Sequence, residues 1–334
     1  MTLDIIVPHY KEPWSKCKYL FDTIATQRGI AMKDIGVIVA NDGDSFWMGN
    51  LLDSLEFLRD REYPYTVNYL AKEHGGISAA RNYGLDHSNA DYVMFCDIDD
   101  GFLSNYALHM VFNAMREGFD FLTGAFIEES LDTQGNPTLV RHERDMSFMH
   151  GKVYRREFLV EHDIRFDPTM TLHEDGYFNA LAYLVAEKEG TAKRIDTPFY
   201  IWRWSDDSTV RRDRQDFVLR TYTDVMKVRD GICEQYKARG YDEEYKVAVC
   251  TTFLNSYYDF QKPSYHLPRN AAYLQKAERA FKRYYDKYFK VFYDCTNLEI
   301  AEMARSAREL AISNGMLMER QTLKEFLNHI KEVR

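Results

Sequence analysis

Short apolar runs separated by stretches of helical periodicity fill the first two hundred residues. Ile5-Ile6-Val7, Ile35-Gly36-Val37-Ile38-Val39-Ala40, Val67-Asn68-Tyr69-Leu70 and Tyr92-Val93-Met94-Phe95-Cys96 read as buried strands of a parallel sheet. Between the first two, Cys17, Leu20, Phe21 and Ile24 fall on one helical face, and Gly29 suits the left-handed cap that would end that helix. Successive strands begin roughly 30 residues apart, the spacing of βαβ units. Further helices are expected over 78–87, over 105–117 with Ser104 as N-cap, and over 175–187.

After Trp204 the strand pattern fades. Val218, Tyr222, Val225, Ile232 and Tyr236 repeat at helical intervals, as do Leu274, Ala277, Phe281, Tyr284, Tyr288 and Val291. Breaks near Gly240, Pro263 to Pro268, Cys295 and Gly315 divide this part into about five helices. The expected fold class is therefore α/β, with a mostly parallel central sheet over 1–210 and an all-α module over 211–334. No internal repeat is visible.

Composition sharpens the two-part reading. A chain of 334 residues, 45% hydrophobic and 28% charged, can bury one large core or two smaller ones. Its net charge of -9 argues against nonspecific nucleic-acid binding by overall attraction. That charge is uneven: 20 basic and 32 acidic residues run up to Trp204, against 23 and 20 beyond it. Cys17, Cys96, Cys233, Cys250 and Cys295 stand singly without a C-x-x-C pair, which predicts reduced thiols in a cytoplasm. Met1 leads directly into Leu3-Asp4-Ile5-Ile6-Val7, so no secretory leader is expected, and no apolar run is long enough to span a membrane. Peripheral contact with the inner membrane face stays open.

In open parallel sheets ligands bind beyond the carboxyl ends of the strands. Here those ends are polar: Pro8-His9-Tyr10-Lys11-Glu12, Asn41-Asp42-Gly43-Asp44, Lys72-Glu73-His74-Gly75-Gly76 and Asp97-Ile98-Asp99-Asp100. On an extended chain Asp97 and Asp99 point to one side and can share a hard cation, Mn2+ or Mg2+, through oxygen. An ordinary acidic turn is the plainer alternative.

Five segments in order carry a resemblance: Ile6-Val7-Pro8-His9-Tyr10, Asn41-Asp42-Gly43, Gly75 to Leu85 (GGISAARNYGL), Phe95-Cys96-Asp97-Ile98-Asp99-Asp100, and His173-Glu174-Asp175. Over about the first 210 residues the chain resembles a family 2 glycosyltransferase of the GT-A fold. The resemblance implies an inverting transferase that uses a nucleotide-diphosphate sugar, a UDP-sugar by expectation, and a divalent metal. Pro8, Tyr10 and Glu12 would line the base and ribose pocket, Asp42 would take a hydrogen bond from the pyrimidine edge, and Arg81 would lie near the nucleotide. Asp97 would contact ribose or metal and Asp99 would ligate the metal. Asp175 would be the general base, with Glu174 orienting it or the acceptor. His150 and Lys152 would border donor or acceptor, while His9 and His74 depart from the family pattern.

Outside those segments, Trp202 and Trp204 could stack on a sugar or simply pack, and Arg203, Arg211 and Arg212 could pair with a diphosphate or line a solvated loop. The expected acceptor is a glycan or surface polymer. Between Arg269 and Lys290 a basic strip interleaved with Tyr273, Tyr284, Tyr285 and Tyr288 raises a polyanion, including DNA with hydroxylated bases, as an alternative. A core-facing aromatic stripe with a solvated basic back is favoured over it. A non-catalytic nucleotide-sugar-binding scaffold is the remaining alternative. No glycine follows the first strand before Trp14, which excludes a dinucleotide-binding G-x-G-x-x-G, and no phosphate-loop motif is present.

Overall fold

The computed structural model describes residues 1–43, 63–132, 134–205 and 216–334. The chain forms two compact units, Met1–Asp206 and Asp207–Arg334.

The first unit is built on one mixed sheet. Strands β1 (Leu3–His9), β2 (Ile35–Asn41), β3 (Thr66–Ala71) and β4 (Tyr92–Phe95) run parallel, with β1 between β2 and β4 and β3 outside β2. The other strands are β5 (Gly101–Phe102), β6 (Phe121–Leu131), β7 (Pro137–His142), β8 (Lys152–Arg155) and β9 (Ala192–Trp202). The sheet order is β3-β2-β1-β4-β8-β6-β9-β5, with β7 paired to β6. β8 runs antiparallel to β4 and β6, while β9 is parallel to β6. β1, β2 and β4 are almost wholly buried, as their continuous apolar runs require. β3 differs from expectation: Thr66, Asn68 and Ala71 are exposed or half-buried because it lies at the end of the sheet with one face less covered.

Helices α1 (Trp14–Ala25), α2 (Ile77–His87), α3 (Ala107–Glu117), α4 (Arg156–Glu161) and α5 (Glu174–Glu189) complete this unit. α1 ends earlier than Gly29, at a Thr26 cap, and Gly29 takes its positive φ of 76° in the following turn. α3 begins after Tyr106 and not at Ser104, whose hydroxyl accepts the Tyr106 N–H instead.

The second unit is helical throughout its described residues: α6 (Phe217–Arg220), α7 (Tyr222–Ala238), α8 (Asp242–Asp259), α9 (Ala271–Tyr293), α10 (Asn297–Ser313) and α11 (Leu323–Glu332). Gly240 and Gly315 break it at φ 74° and 94°, and two 3-10 turns fill Pro263 to Asn270. Tyr284, Tyr285 and Tyr288 of α9 are buried in its core. Lys282 pairs with Asp286, and Lys287 with Asp230 and Glu234. The strip is thus an aromatic core face with much of its basic back already neutralised. Cys250 of α8 and Cys295, just past α9, are brought together as a pair 45 residues apart in sequence. Their Cα atoms are 7.3 Å apart, wider than the roughly 4.4–6.8 Å of formed disulfides, so the pairing does not overturn the expectation of reduced thiols. The fold brings together two singly spaced cysteines that no local pattern paired. Cys17, Cys96 and Cys233 are free and buried.

α2 packs on β1 so closely that a Cβ on Gly84 would lie 2.4 Å from Ile6 Cγ2. Ile6 is fully buried and has little room to yield. Gly84→Ala is expected to lower unfolding stability by about 1–3 kcal/mol, read as a lower urea midpoint at unchanged slope; an unchanged midpoint would show that the helix can shift freely.

Candidate active site

The carboxyl ends of β1, β2 and β3 meet around Asp42. Its carboxylate is 2% exposed and accepts the Gly75 N–H (2.8 Å), the Gly76 N–H (2.6 Å) and the Lys72 ammonium (2.7 Å), with His74 Nδ1 2.9 Å away. A carboxylate offers about four acceptor sites, so Asp42 is spent on fixing the 72–76 segment. The hydrogen bond expected from a pyrimidine edge would have to be made beside these four contacts. Tyr10 and His74 instead offer the exposed aromatic surface, their rings stacked at 4.4 Å and 19°. Lys11 takes a φ of 62°, and this turn brings Glu12 back so that its carboxylate accepts the Tyr10 N–H at 2.6 Å. His9 is buried, with Nε2 2.8 Å from the Glu12 carbonyl, and Pro8 lies within β1 opposite Ala40. Asp44 lies outside the described residues.

At the end of β4 the chain does not stay extended. Ile98 and Asp99 form a turn closed by the Asp100 N–H on the Asp97 carbonyl at 3.2 Å. The period-two argument for Asp97 and Asp99 therefore fails, and the turn brings Asp100 back toward Asp97. Asp100, fully buried, accepts from the Tyr200 hydroxyl (2.6 Å) and the Arg203 N–H (2.9 Å). Burial, reinforced by the charge of Asp97, pushes its carboxyl well above the usual range.

Arg81 joins this turn to α5. It is 1% exposed, not a surface arginine, and sits on α2. Nη1 donates to Glu174 Oε1 (2.9 Å) and Asp175 Oδ1 (2.5 Å), and Nη2 to Asp97 Oδ1 (3.2 Å). Burial alone would lower its pKa, but the three carboxylates outweigh this and hold the guanidinium charged. His173, just before α5, has a left-handed φ of 63°, an uncommon conformation for a residue with a Cβ, and it aims the first turn of the helix at Arg81. Asp175 Oδ2 accepts the Met149 N–H at 3.2 Å. Burial pushes the Asp175 carboxyl well above its usual range, against the pull of Arg81 and with the charges of Glu174 and Asp97 adding to the rise.

The sequence model of glycosyl transferase family 2 matches residues 4–173, half of the chain, and the stretch includes Asp42, Arg81, the Asp97–Asp100 turn and His150. The chain belongs to glycosyl transferase family 2. It is similar to the uncharacterized glycosyltransferase EpsJ of Bacillus subtilis (26% identical, 62% of each chain). It is also similar to the glycosyltransferase GlyA of Streptococcus pneumoniae (28% identical, 56% of this chain and 28% of that one). A poly(ribitol-phosphate) beta-glucosyltransferase of Bacillus spizizenii is 23% identical over 78% of this chain and 41% of its own. The matches thus span less than two thirds of each of these relatives. In fold, the chain is like residues 1–349 of Staphylococcus aureus TarS (TM-score 0.58, 17% identity, 94% of this chain and 92% of that one). It is likewise similar to the mannosyltransferase PcManGT of Pyrobaculum calidifontis (TM-score 0.51, 14% identity, 98% and 85%). The fold is that of the GT-A glycosyltransferases.

In this family 2 chain an aromatic box closes the site beside the turn. His150 is 3% exposed among Phe126, Phe148, Tyr200 and Trp202. Trp202 is 8% exposed and packs in this box beside His150 and Phe148; Trp204 is 37% exposed, and its N–H donates to Glu129 at 2.8 Å. The Arg203 guanidinium lies 4.0 Å from the Tyr19 ring centroid, and its backbone N–H donates to Asp100. Arg211 and Arg212 lie outside the described residues. The sequence reading missed Asp100 as a partner of Asp97 and missed the Tyr200 hydroxyl that orients it. Only the third acid of the D-x-D-D run hinted at the first.

Lys152 is fully buried on β8, and its Nζ donates to the His150 carbonyl at 3.0 Å. Burial pulls its pKa down from 10.5 to about 8, so at pH 7 it is still charged and poorly solvated. That shift corresponds to a destabilisation on the order of 3 kcal/mol, against about 1 kcal/mol from one hydrogen bond. Because the folded pKa lies below the unfolded one, the penalty is full below about pH 8 and fades as pH rises toward the unfolded value. Lys152→Met is expected to raise the urea midpoint at pH 7 and to bring less gain at pH 10; a lowered midpoint at pH 7 would show that the ammonium is well solvated or paired.

Proposed function

We propose that this chain is an inverting glycosyltransferase that moves a hexose or N-acetylhexosamine from a UDP-sugar to a hydroxyl of a glycan or surface-polymer acceptor, with Asp175 as base. One observation carries the reading: a single buried guanidinium, Arg81, holds Asp97 of the β4 turn and Asp175 of α5 at the same time. That arrangement puts a donor-side carboxylate and a base-side carboxylate on one rigid support. The UDP complex of TarS and the GDP-Man and Mn2+ complex of PcManGT support a nucleotide-sugar donor, and the poly(ribitol-phosphate) relative supports a polymer acceptor.

The chemistry follows from the residues. Asp175 accepts one hydrogen bond on each oxygen, from Arg81 and from Met149, which fixes its plane and leaves further lone pairs for an acceptor hydroxyl. The acceptor oxygen bonds to the anomeric carbon as the carbon–phosphate oxygen bond breaks on the opposite face. The hydroxyl proton goes to Asp175 and the bonding pair leaves with the nucleoside diphosphate. Tyr10 and His74 offer stacking faces to the base, and Glu12, folded back on the Tyr10 N–H, holds that surface in place. Glu174 shares Arg81 Nη1 with Asp175 and so orients the base.

Mn2+ or Mg2+ fits the residues present. Asp97, Asp100 and His150 bring donor atoms within 4.8 Å of one another, and carboxylate oxygens are ligands that suit these ions. Asp99, half-buried on the same turn, is the next carboxylate available. When bound, such an ion offsets charge on the leaving diphosphate. No helix among the described residues is long and apolar enough to cross a membrane. Action at the inner face of the membrane, in the cytoplasm, with the helical unit contributing to acceptor binding, belongs to this proposal. The polyanion alternative is disfavoured by the buried tyrosines and paired lysines of α9.

The test is a panel of UDP-sugars with Mn2+, with and without polyol-phosphate and glycan acceptors. Wild-type turnover of at least one donor is expected, and none across the panel would leave only the scaffold reading. Asp175→Asn is expected to cut kcat by about 10²- to 10⁴-fold with donor affinity nearly unchanged; full activity would remove Asp175 as base. Because its pKa is raised and the ionised form is the active one, kcat should fall on acidification at a pH above the ordinary carboxylate value of about 4. An acid limb at or below that value would contradict the burial argument.

A further inference from the structure

We propose that His150 is a nitrogen donor to the cation site and that it sets which divalent ion the site prefers. This deepens the metal-assisted reading above and rests on it.

The geometry starts with the ring's confinement. Phe148 stacks on His150 at 5.5 Å and 17°, Tyr200 at 5.2 Å and 20°, and Trp202 and Phe126 close the remaining sides at 4.9 Å and 5.2 Å. The backbone is held as firmly. The His150 carbonyl accepts from Lys152 Nζ, and Gly151 turns with a φ of 68°, where a Cβ would lie 2.8 Å from the Gly124 carbonyl oxygen. A ring held on four sides has little freedom left to lose on binding, which is what a preorganised ligand requires.

Its Nδ1 lies 3.5 Å from Asp100 Oδ2. That is longer than a well-formed N–H···O hydrogen bond, which runs to about 3.2 Å. It is close to the spacing of ligands around one ion: with bonds of about 2.1 Å, neighbouring octahedral ligands are about 3 Å apart and opposite ones about 4 Å. The donor atoms of Asp97, Asp100 and His150 all lie within 4.8 Å of one another, so closing them on one ion takes side-chain shifts on the order of 1 Å. Asp100 is already aimed by the Tyr200 hydroxyl and the Arg203 N–H, the kind of outer support that fixes a ligating carboxylate.

Two carboxylates alone suit Mg2+ as well as Mn2+. An imidazole nitrogen shifts the balance toward ions later in the first-row order, since Co2+ gains more from nitrogen than Mg2+ does. His150 is thus expected to make the site favour Mn2+ and Co2+ over Mg2+.

The test uses the full chain with UDP and Mn2+, without turnover. Pulsed electron paramagnetic resonance of the bound Mn2+ should show nitrogen-14 modulation from a coordinated imidazole. His150→Phe keeps a ring in the box and should abolish that modulation, weaken Mn2+ at least about tenfold, and narrow the ratio of Co2+ to Mg2+ competition. Wild-type Mn2+ bound without nitrogen modulation overturns the inference whether or not the variant folds. So does a folded variant with unchanged affinity and ion preference. Wild-type protein that binds no Mn2+ in the presence of UDP overturns the metal-assisted reading itself, a distinct result.

Discussion

The buried guanidinium of Arg81 is the constraint on which the acidic cluster at the carboxyl ends of the first unit's strands depends. Its three carboxylate partners come from separate parts of the chain: Asp97 from the turn after β4, and Glu174 and Asp175 from the first turn of α5. None of the four charges could be buried alone without a large desolvation cost, and removing one partner of such a set is far more costly than the set's net contribution suggests. Arg81 can reach this position because α2 lies against β1 at Gly84, and α5 is aimed at it by the left-handed turn at His173. Backbone geometry remote from the reacting atoms therefore decides where two acidic groups stand.

The second cluster follows the same logic with a different outcome. Asp42 is buried, but its partners are local: two backbone N–H groups, a lysine and a histidine from one short segment after β3. A carboxylate so engaged has little left for a ligand, and its work is to hold the Gly75-Gly76 turn from which α2 starts. Asp42 thereby also helps to set the position of Arg81. Around His150 the support is aromatic instead of ionic, and it fixes a ring through packing on several sides.

Much of this was legible in the sequence, for physical reasons that differ by element. β1, β2 and β4 announce themselves because both faces are buried and the runs are continuously apolar. α9 announces itself through a long 3.6-residue period, and Gly240 and Gly315 mark breaks that need positive φ. The polar strand ends after β1 to β4 were legible as one edge of the sheet because parallel strands leave their carboxyl ends on one side. The mixed half, β5 to β9, was not, because strands such as β7 are exposed and carry no apolar signal. Nor was the Asp97–Asp100 turn: identical spacing serves an extended pair and a tight turn, and only the backbone tells them apart. The pairing of Cys250 with Cys295 is a tertiary fact that a 45-residue separation conceals.

Arg81 and Lys152 show why two buried cations among the described residues of this unit are not equivalent. Arg81 has a planar fork that can reach several carboxylates at once, so burial is outweighed and the charge stays fixed. Lys152, a compact ammonium on a flexible stem, has one carbonyl as its hydrogen-bond partner and is pulled down to about 8. A lysine in place of Arg81 would hold fewer of the carboxylates at the required distances and would face the same downward pull, leaving Asp97 and Asp175 to repel each other through a low-dielectric interior. The choice of arginine at the start of the catalytic arrangement is thus a requirement of geometry as well as charge. The lysine can be retained beneath the site only because the surrounding core, with Phe126 and Tyr154 packed beside it on the sheet, is stable enough to carry a poorly solvated charge.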